Sequence, residues 1–536
     1  MGEDITANLR TIAEIPDRLP RGARDRGGGV KALGLAATAA LVSGLLCTLA
    51  LPAFDLGFFA WIALVPLLCA LRRHGLPGGA LAGAIFGFAF GVGTLYWIAE
   101  FPAMNAFRFA ALGVLFSLYY AAFGALYAAA SRSLGGWMIL FAPALWVALE
   151  YARASAGFLA FPWNLLGHSQ HQALPVIQVA DLAGAYGVSF LLVMVNELVS
   201  RIREPGWAPR AATAGALVAS ALAYGVIQLM DDPLPEAKVR VAVVQANMPT
   251  WNRMSSDEQV RHLAAYSRLT RQAAKEKPAL IVWPSASLPG PISYWMIRLY
   301  VSDLAHRAGV PLLIGGAGGD KLAPGSDGRL PFSNSEFLLS PAGALEGQYN
   351  KIHLTPFTEQ VPLQGIVRWP RWITAAEKGF VPGEAYTLFQ VAGARFGAPI
   401  CWETSFPDLF RRFVLRGADF MVSVTNENAF GATSGPYQTL AMNVFRAVEN
   451  RVAVARAATT GVSAFIDSRG RLVSRVRDAA GADLYVAGIL VWDVPVSKEK
   501  SFYTRQGDRF AQAVSLAVLA WLVLALLRAR AGPSQR

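Results

Sequence analysis

Long apolar blocks separated by short polar breaks fill the first 230 residues, and one more block lies near the C-terminus. Eight blocks approach the ~20 apolar residues that a helix needs to cross a bilayer. They cover residues 33–51, 56–71, 77–99, 107–130, 136–152, 175–200, 211–230 and 511–528. We therefore predict a helical membrane unit of eight spans, seven of which precede residue 231.

Residues 231–508 have the mixed composition of a globular domain. Strand-like runs occur at 239–245, 279–283, 310–315, 336–340, 396–401, 420–425, 452–458 and 462–467, and helical patterns at 256–276, 293–308, 405–416 and 437–450. This alternation predicts a layered α/β domain with active residues at strand ends. The glycine-rich run at 315–319 is predicted to be a flexible loop. The remaining divisions are a polar tail at 1–32, a membrane unit at 33–230, an eighth span at 509–528 and a tail at 529–536.

Composition and charge add an orientation to this division. The 536 residues are 54% hydrophobic and 16% charged, which excludes an ordinary soluble protein. Much of the net charge of +12 comes from basic residues in the tails and short loops, at 18–31, 72–73, 132, 201–210 and 528–530. Because such loops stay cytoplasmic, we expect both termini inside and the 231–508 domain outside. The sequence contains no basic stripe interleaved with aromatic residues, so we do not expect a nucleic-acid partner.

Cys401 is the one cysteine outside the apolar blocks, since Cys47 and Cys69 lie within them. An outward-facing domain lies in an oxidising compartment, where cysteines usually pair, yet residues 231–508 contain no second cysteine. Two interpretations follow. Cys401 is either a small buried hydrophobic residue or a nucleophile whose thiolate attacks a carbonyl carbon.

Three other polar clusters in this domain have both an ordinary and a chemical interpretation. Lys351 leaves a strand toward a proline-containing loop and by itself would be a solvated surface charge. Asn426, at a polar strand end, could belong to a simple turn. The charged stretch 446–451 is typical of ion pairing on a helix surface. The six histidines lack metal-ligand spacing, so we expect neither a metal nor a cofactor.

Taken together, short motifs along the chain resemble one family. In the membrane unit they are LPAFD at 51–55, ALW at 144–146 leading to Glu150 and Arg153, FPW at 161–163, GHSQ at 167–170 and GAYGVSF at 184–190. In the domain they are VQAN at 244–247, LIVWP at 280–284, the 351–362 stretch, ICWE at 400–403 and GPYQ at 435–438. Their order, over about residues 35–528, is similar to that of the apolipoprotein N-acyltransferases. These are bacterial inner-membrane enzymes with a nitrilase-superfamily domain inserted before the last span.

The resemblance implies an α-β-β-α sandwich for the domain and a two-step acyl transfer. Cys401 would take an acyl chain from a phospholipid as a thioester and pass it to the N-terminal amine of a lipoprotein. Lys351 would stabilise the thiolate and the oxyanion. Glu359 and Glu403 fall where the family has supporting acids. The residues expected to bind substrate are Trp402, Asn426, Phe430, Trp283 and Tyr437.

Ser285 departs from the family pattern. After LIVWP the family places its catalytic glutamate, the general base, but this chain has Ser285 and no acid until Asp303. A serine hydroxyl does not accept a proton near neutral pH as a carboxylate does.

Three functions remain open. The first is an acyltransferase whose base has moved to Glu359 or Glu403. The second is a transferase acting on another envelope lipid or amine. The third is a retired paralogue that serves as a scaffold for lipid or lipoprotein. We expect a monomer in the bacterial inner membrane, with a phospholipid donor and a lipoprotein or other envelope amine as acceptor.

Overall fold

The computed structural model describes residues 26–101, 104–231, 237–248, 254–319, 332–363, 366–370 and 379–530. Within them, seven helices are long and apolar enough to cross a membrane. They form at Arg26–Ala50 (α1), Leu76–Leu95 (α3), Ala106–Ser133 (α4), Met138–Ala154 (α5), Ala180–Ser200 (α7), Trp207–Met230 (α8) and Arg509–Arg530 (α14). Each corresponds to one of the predicted apolar blocks.

The predicted second span, at 56–71, has a different structure. It consists of a 3₁₀ turn at Gly57–Trp61 and a two-turn helix at Val65–Leu71 (α2), with Pro66 in the first turn. Because proline lacks a backbone N–H, it is favoured in the first turn of a helix, where that group would have no partner within the helix. The block is therefore apolar but broken, and it is shorter than the other seven. A further short helix, Leu174–Ile177 (α6), precedes α7.

Small residues allow close contact between the membrane helices α3 and α4. Where α3 crosses α4, a Cβ on Gly83 would lie 2.0 Å from the backbone oxygen of Tyr120. A Cβ on Gly124 would similarly lie 2.1 Å from the backbone oxygen of Gly79. Glycine spacing of this kind lets two helices approach closely in lipid, where packing and not water exclusion holds helices together.

In the described parts of residues 237–496, twelve strands form two six-stranded sheets. The first sheet has the order β12-β1-β2-β3-β4-β5 and the second β11-β10-β9-β8-β7-β6. The strands of the first half are Ala237–Gln245 (β1), Leu280–Val282 (β2), Leu312–Gly318 (β3), Ser333–Leu339 (β4), Leu345–Asn350 (β5) and Phe389–Val391 (β6). Those of the second half are Ala394–Gly397 (β7), Phe420–Thr425 (β8), Val454–Ala458 (β9), Ala464–Ile466 (β10), Leu472–Arg475 (β11) and Gly488–Val496 (β12).

Helices cover the outer faces of the two sheets. Ser256–Ala274 (α9) and Trp295–Ala308 (α10) pack on the first sheet and form one apolar core with it. Pro407–Leu415 (α11) and Gly435–Asn450 (α12) belong to the second sheet, and the core between the sheets continues into the membrane unit. Phe502–Gln506 (α13) then leads into α14. The layers therefore follow the expected α-β-β-α order.

The glycine-rich run predicted to be a flexible loop instead forms the second half of the buried strand β3, as far as Gly318, so that prediction was wrong; the predicted strand-like run at 310–315 supplies the first half. Gly315 pairs with Glu336 of β4 in an antiparallel ladder. The glycines are there because other groups occupy the space above them: a Cβ on Gly315 would lie 2.5 Å from Glu336 Oε1. Sequence analysis also missed β5, β6, β11 and β12, which are the edge strands of the two sheets.

Gln438 of α12 joins the domain to the membrane unit. Its Oε1 accepts hydrogen bonds from Trp97 Nε1 at 3.0 Å and Trp163 Nε1 at 2.7 Å. Its Nε2 donates to the backbone oxygens of Thr94 at 2.9 Å and Pro52 at 3.1 Å. One amide therefore connects three separate segments of the membrane unit to the domain.

The charged stretch at 446–451 is buried, so its prediction as a helix-surface cluster was wrong. Arg451 pairs with Asp181 of α7 at 2.5 Å. Glu449 accepts from Arg446 at 2.8 Å and from the backbone N–H of Ala185 at 3.1 Å. Because α12 lies between the second sheet and the membrane unit, these charged groups are buried: Arg446 and Glu449 pair within the helix, while Arg451 and Glu449 also bond to α7 across the contact.

Candidate active site

Cys401 lies where the chain leaves the second sheet. The preceding residue, Ile400, forms a parallel bridge with Val424 of β8, and the 3₁₀ turn Cys401–Ser405 begins at the cysteine. Cys401 itself has a φ of 51°, a left-handed conformation that non-glycine residues rarely adopt and that is enriched at functional sites. Its Sγ lies 3.9 Å from the backbone oxygen of Asn426, and the side chain is half-buried.

Lys351 follows β5 directly and is 1% exposed, which excludes a solvated surface lysine. Its Nζ donates to Glu359 Oε2 at 2.6 Å and to Thr355 Oγ1 at 3.4 Å. Burial acts to lower the pKa of Lys351, but the charges of Glu359 and of an ionised Cys401 outweigh it and raise that pKa. The ammonium is therefore kept charged near the thiol.

Glu359 is committed to this cation. Besides Lys351, it accepts from the backbone N–H of Thr355 at 2.7 Å and from Asn334 Nδ2 at 2.8 Å. Burial alone would raise the pKa of Glu359, but Lys351 and these two donors lower it below the usual value. A carboxylate held in this way is a stable anion and a weak proton acceptor.

Glu403 joins the segment that contains Cys401 to the segment that contains Lys351. Its Oε1 accepts from the backbone N–H groups of Ile352 at 2.6 Å and His353 at 3.0 Å, and its Oε2 accepts from that of Ile400 at 2.7 Å. The Tyr349 hydroxyl lies within 2.9 Å of both oxygens. Burial raises the pKa of Glu403, and the backbone donors and Lys351 counteract that rise. Every hydrogen-bonding direction of this carboxylate is therefore in use.

Ser285 is buried in the loop after β2, and next to it lies an acid that sequence analysis missed. The point where a Cβ on Gly315 would stand is 2.6 Å from Ser285 Cα and 2.5 Å from Glu336 Oε1. Glu336 is fully buried, and neither of its oxygens has a hydrogen-bond partner among the residues that the structure describes. Burial raises the pKa of Glu336 well above its usual value. The sequence did contain a signal for this acid, because the predicted strand-like run at 336–340 begins with Glu336.

Aromatic residues from the two units pack against one another at Trp402, the residue that follows Cys401. Trp402 stacks on Trp163 of the membrane unit with ring centroids 5.6 Å apart, and it also lies 5.4 Å from Phe161. Phe430 packs against Trp97 at 4.5 Å. The residue that follows Cys401 is therefore in direct contact with the membrane unit.

The other predicted substrate-binding residues have more varied positions. Asn426 lies in the site, where its backbone oxygen is 3.9 Å from Cys401 Sγ. The Tyr437 hydroxyl donates to Asp483 Oδ1 at 2.6 Å. Trp283 lies elsewhere: it belongs to the core under α9, where its Nε1 donates to Thr270 at 2.9 Å. The structure thus brings Cys401 together with Lys351, Glu359 and Glu403, but it points the Trp283 side chain away from them.

Comparison with known proteins identifies the family of this chain. The family profile described as "Apolipoprotein N-acyltransferase N-terminal domain" matches residues 43–198, and "Carbon-nitrogen hydrolase" matches residues 240–497. The apolipoprotein N-acyltransferase of Geobacter metallireducens is 35% identical over 499 residues, covering 88% of this chain and 92% of that protein. The chain belongs to the apolipoprotein N-acyltransferase family.

Further relatives span nearly the same length. The apolipoprotein N-acyltransferase of Rhodopseudomonas palustris is 30% identical over 517 residues, covering 91% of this chain and 94% of the relative. Among solved structures, a mutant of the Nesterenkonia AN1 amidase from the nitrilase superfamily has a TM-score of 0.38 and 16% identity, covering 52% of this chain and 98% of the amidase.

Family membership confirms the predicted fold class and the enzyme class. The chain is a bacterial membrane N-acyltransferase whose apolar helices accompany a nitrilase-superfamily α/β domain with two sheets. Family membership therefore gives the class of reaction, and it leaves the roles of the individual residues around Cys401 as proposals.

Proposed function

We propose that this enzyme moves an acyl chain from a phospholipid to the N-terminal amine of a lipoprotein through a thioester on Cys401. The main support is the position of Cys401, with a charged Lys351 beside it and Trp402 stacked on the membrane unit. A donor with its acyl chains in the bilayer could reach a thiol at this contact without leaving the lipid phase.

The first step exchanges an oxygen ester for a thioester. Cys401 Sγ gives up its proton and attacks the ester carbonyl carbon, and the carbon–oxygen bond then breaks as the lysophospholipid alcohol leaves with a proton. Lys351 stabilises both the thiolate and the tetrahedral oxyanion. Its raised pKa keeps it charged for this task.

The second step forms the amide. The lipoprotein amine attacks the thioester carbonyl carbon, the carbon–sulfur bond breaks, and one amine proton returns to Sγ. A thiolate suits both steps because it is a good nucleophile and a good leaving group. We further propose that the protein acts as a monomer, since the thiol, the cation and the aromatic contacts all come from one chain.

Intact-mass spectrometry of the purified protein tests the thioester. Incubation with a phospholipid of defined chain should add one acyl mass that hydroxylamine removes, and Cys401→Ala should abolish it. Lys351→Ala should reduce the adduct strongly, whereas Cys69→Ala is the matched control and should retain it. Transfer is then measured to a diacylglyceryl-cysteine lipopeptide, with the N-acetylated lipopeptide as a blocked acceptor. Wild-type protein without adduct or transfer would leave the scaffold role, and an adduct retained in Cys401→Ala would place the chemistry elsewhere.

The orientation is also proposed. The basic loops at 72–73, 132 and 201–210 favour both termini in the cytoplasm and the 231–508 domain in the periplasm. The broken segment at 57–71, counted as a crossing, keeps the two termini on one side. Reporter fusions after Trp251 and after Arg203 should report opposite sides of the membrane, and equal signals would contradict this topology.

A further inference from the structure

We infer that Glu336 is the general base of this enzyme, taking the place of the glutamate that its family has at the position of Ser285. The inference rests on the proposed acyl transfer, because both halves of that reaction must move a proton. The thiol loses a proton before attack, and the amine loses one when the amide forms. A carboxylate near the reacting atoms is the usual acceptor in such steps.

Neither of the other acids at the site is available for this task. Glu359 is paired with Lys351 and accepts two further hydrogen bonds, and its pKa is lowered. Glu403 accepts from three backbone N–H groups and one hydroxyl. Both carboxylates hold groups in position, so a proton gained by either would break the contacts that organise the site.

Glu336 faces the layer that contains the site. On β4, Leu338 belongs to the core between the sheets, whereas Phe337 and Leu339 belong to the core under the outer helices. Because side chains alternate along a strand, Glu336 shares the inner face with Leu338 and Asn334. Asn334 lies two residues away, ~7 Å along the strand, and donates to Glu359, the partner of Lys351. Glu336 is therefore next to Asn334 on the inner face of β4, and Asn334 bonds to the partner of Lys351.

The glycine at position 315 leaves room for the Glu336 carboxyl beside Ser285. Gly315 pairs with Glu336 across β3 and β4, and any side chain at 315 would collide with Glu336 Oε1. The same point lies 2.6 Å from Ser285 Cα. A carboxyl from β4 thus reaches the backbone from which the family glutamate would extend, and the short Ser285 side chain leaves that space open.

The Glu336 carboxyl lowers the stability of the fold, because it is buried without a hydrogen-bond partner among the described residues, and a catalytic role would explain why it is there. Buried polar groups are almost always hydrogen-bonded, and one without a partner destabilises the fold. Within the described part of the chain, Glu336 has no such partner. Burial raises its pKa, which makes it a better proton acceptor once ionised. The titratable groups on neighbouring elements are Tyr349, which is bonded to Glu403, and the Lys351–Glu359 pair.

A carboxylate swap between the two positions tests the inference. In single-turnover transfer from acyl-Cys401 to the lipopeptide amine, Glu336→Gln should slow the rate by about 10²–10⁴-fold. Ser285→Glu in the Glu336→Gln background should recover at least tenfold of that loss, because it returns the carboxylate to the family position. Glu346→Gln, an exposed acid on β5, is the matched control and should behave as wild type.

Two further measurements separate a base from a structural residue. The acidic limb of the wild-type pH–rate profile should lie above the usual glutamate range and should disappear in Glu336→Gln. Glu336→Leu should be as slow as Glu336→Gln yet unfold no earlier than wild type on heating, because it removes an unpartnered buried polar group. A wild-type rate in Glu336→Gln, or a loss of rate that the swap does not recover, overturns the role of Glu336. The proposed function is judged separately by the acyl adduct on wild-type Cys401.

Discussion

Replacing Glu403 by glutamine should show that this acid positions the site and does not act as its base. The amide can keep its oxygen toward the backbone N–H groups of Ile352 and His353, as Oε1 does now. Its NH₂ group then faces the N–H of Ile400, which at present donates to Oε2 at 2.7 Å. Two donors meet there, so one hydrogen bond to a charged group is lost and one buried donor has no partner.

The size of the effect follows from that single bond. A hydrogen bond to a charged group contributes about 1.5–3 kcal/mol. If the whole loss appears as misplacement of the neighbouring Cys401, transfer should slow by about 10- to 150-fold, since 1.4 kcal/mol corresponds to a factor of ten. The rates of acyl-enzyme formation and of transfer to the lipopeptide, measured by rapid quench and mass spectrometry across pH, give both the loss and its pH dependence.

The pH profile decides between positioning and base catalysis. A positioning residue leaves the acidic limb of Glu403→Gln where it is in wild type, with all rates scaled down together. The limb would vanish, and the loss would extend toward 10⁴-fold, if Glu403 were the proton acceptor. That result, or a variant as fast as wild type, would refute the reasoning. Glu346→Gln again serves as the control for exchanging a carboxylate for an amide.

Three further outcomes are expected. In Glu359→Gln, Lys351 loses its counter-charge and burial then lowers the lysine pKa, so activity should fall at a lower alkaline pH than in wild type. In wild type, Glu359 and Lys351 are both charged between the lowered pKa of Glu359 and the raised pKa of Lys351, and their pairing stabilises the fold in that range. This contribution to the free energy of unfolding is lost as pH falls below the pKa of Glu359 or rises above the pKa of Lys351. Gln438→Leu leaves two buried indole N–H groups without an acceptor and should lower the free energy of unfolding by about 2–4 kcal/mol in a thermal or denaturant titration in detergent, whereas the exposed Gln390→Leu should change it little. An unchanged stability in Gln438→Leu would show that this amide does not hold the two units together.

The apolar pattern was sufficient for the general architecture. Long blocks without charge predicted the seven long helices, and the alternation at 239–467 predicted the inner strands and the four helices that cover the sheets, but not α13. It was not sufficient at 57–71, where Pro66 and a 3₁₀ turn break an apolar block, or at 315–319. Local pattern reports how buried a residue is, and a run of glycines contains no side chains from which burial can be read.

What only the tertiary structure decided is how distant residues meet. The motifs of the sequence pointed to Cys401 and Lys351, whose roles remain predictions. The spacing along the chain could not show that Glu359 and Glu403 are saturated, because their donors come from several different strands and loops. Nor could it show Glu336 beside Ser285, 51 positions earlier in the chain, because that contact exists only through the register of β3 against β4. Strand pairing depends on the packing of the whole sheet, and no local periodicity encodes it.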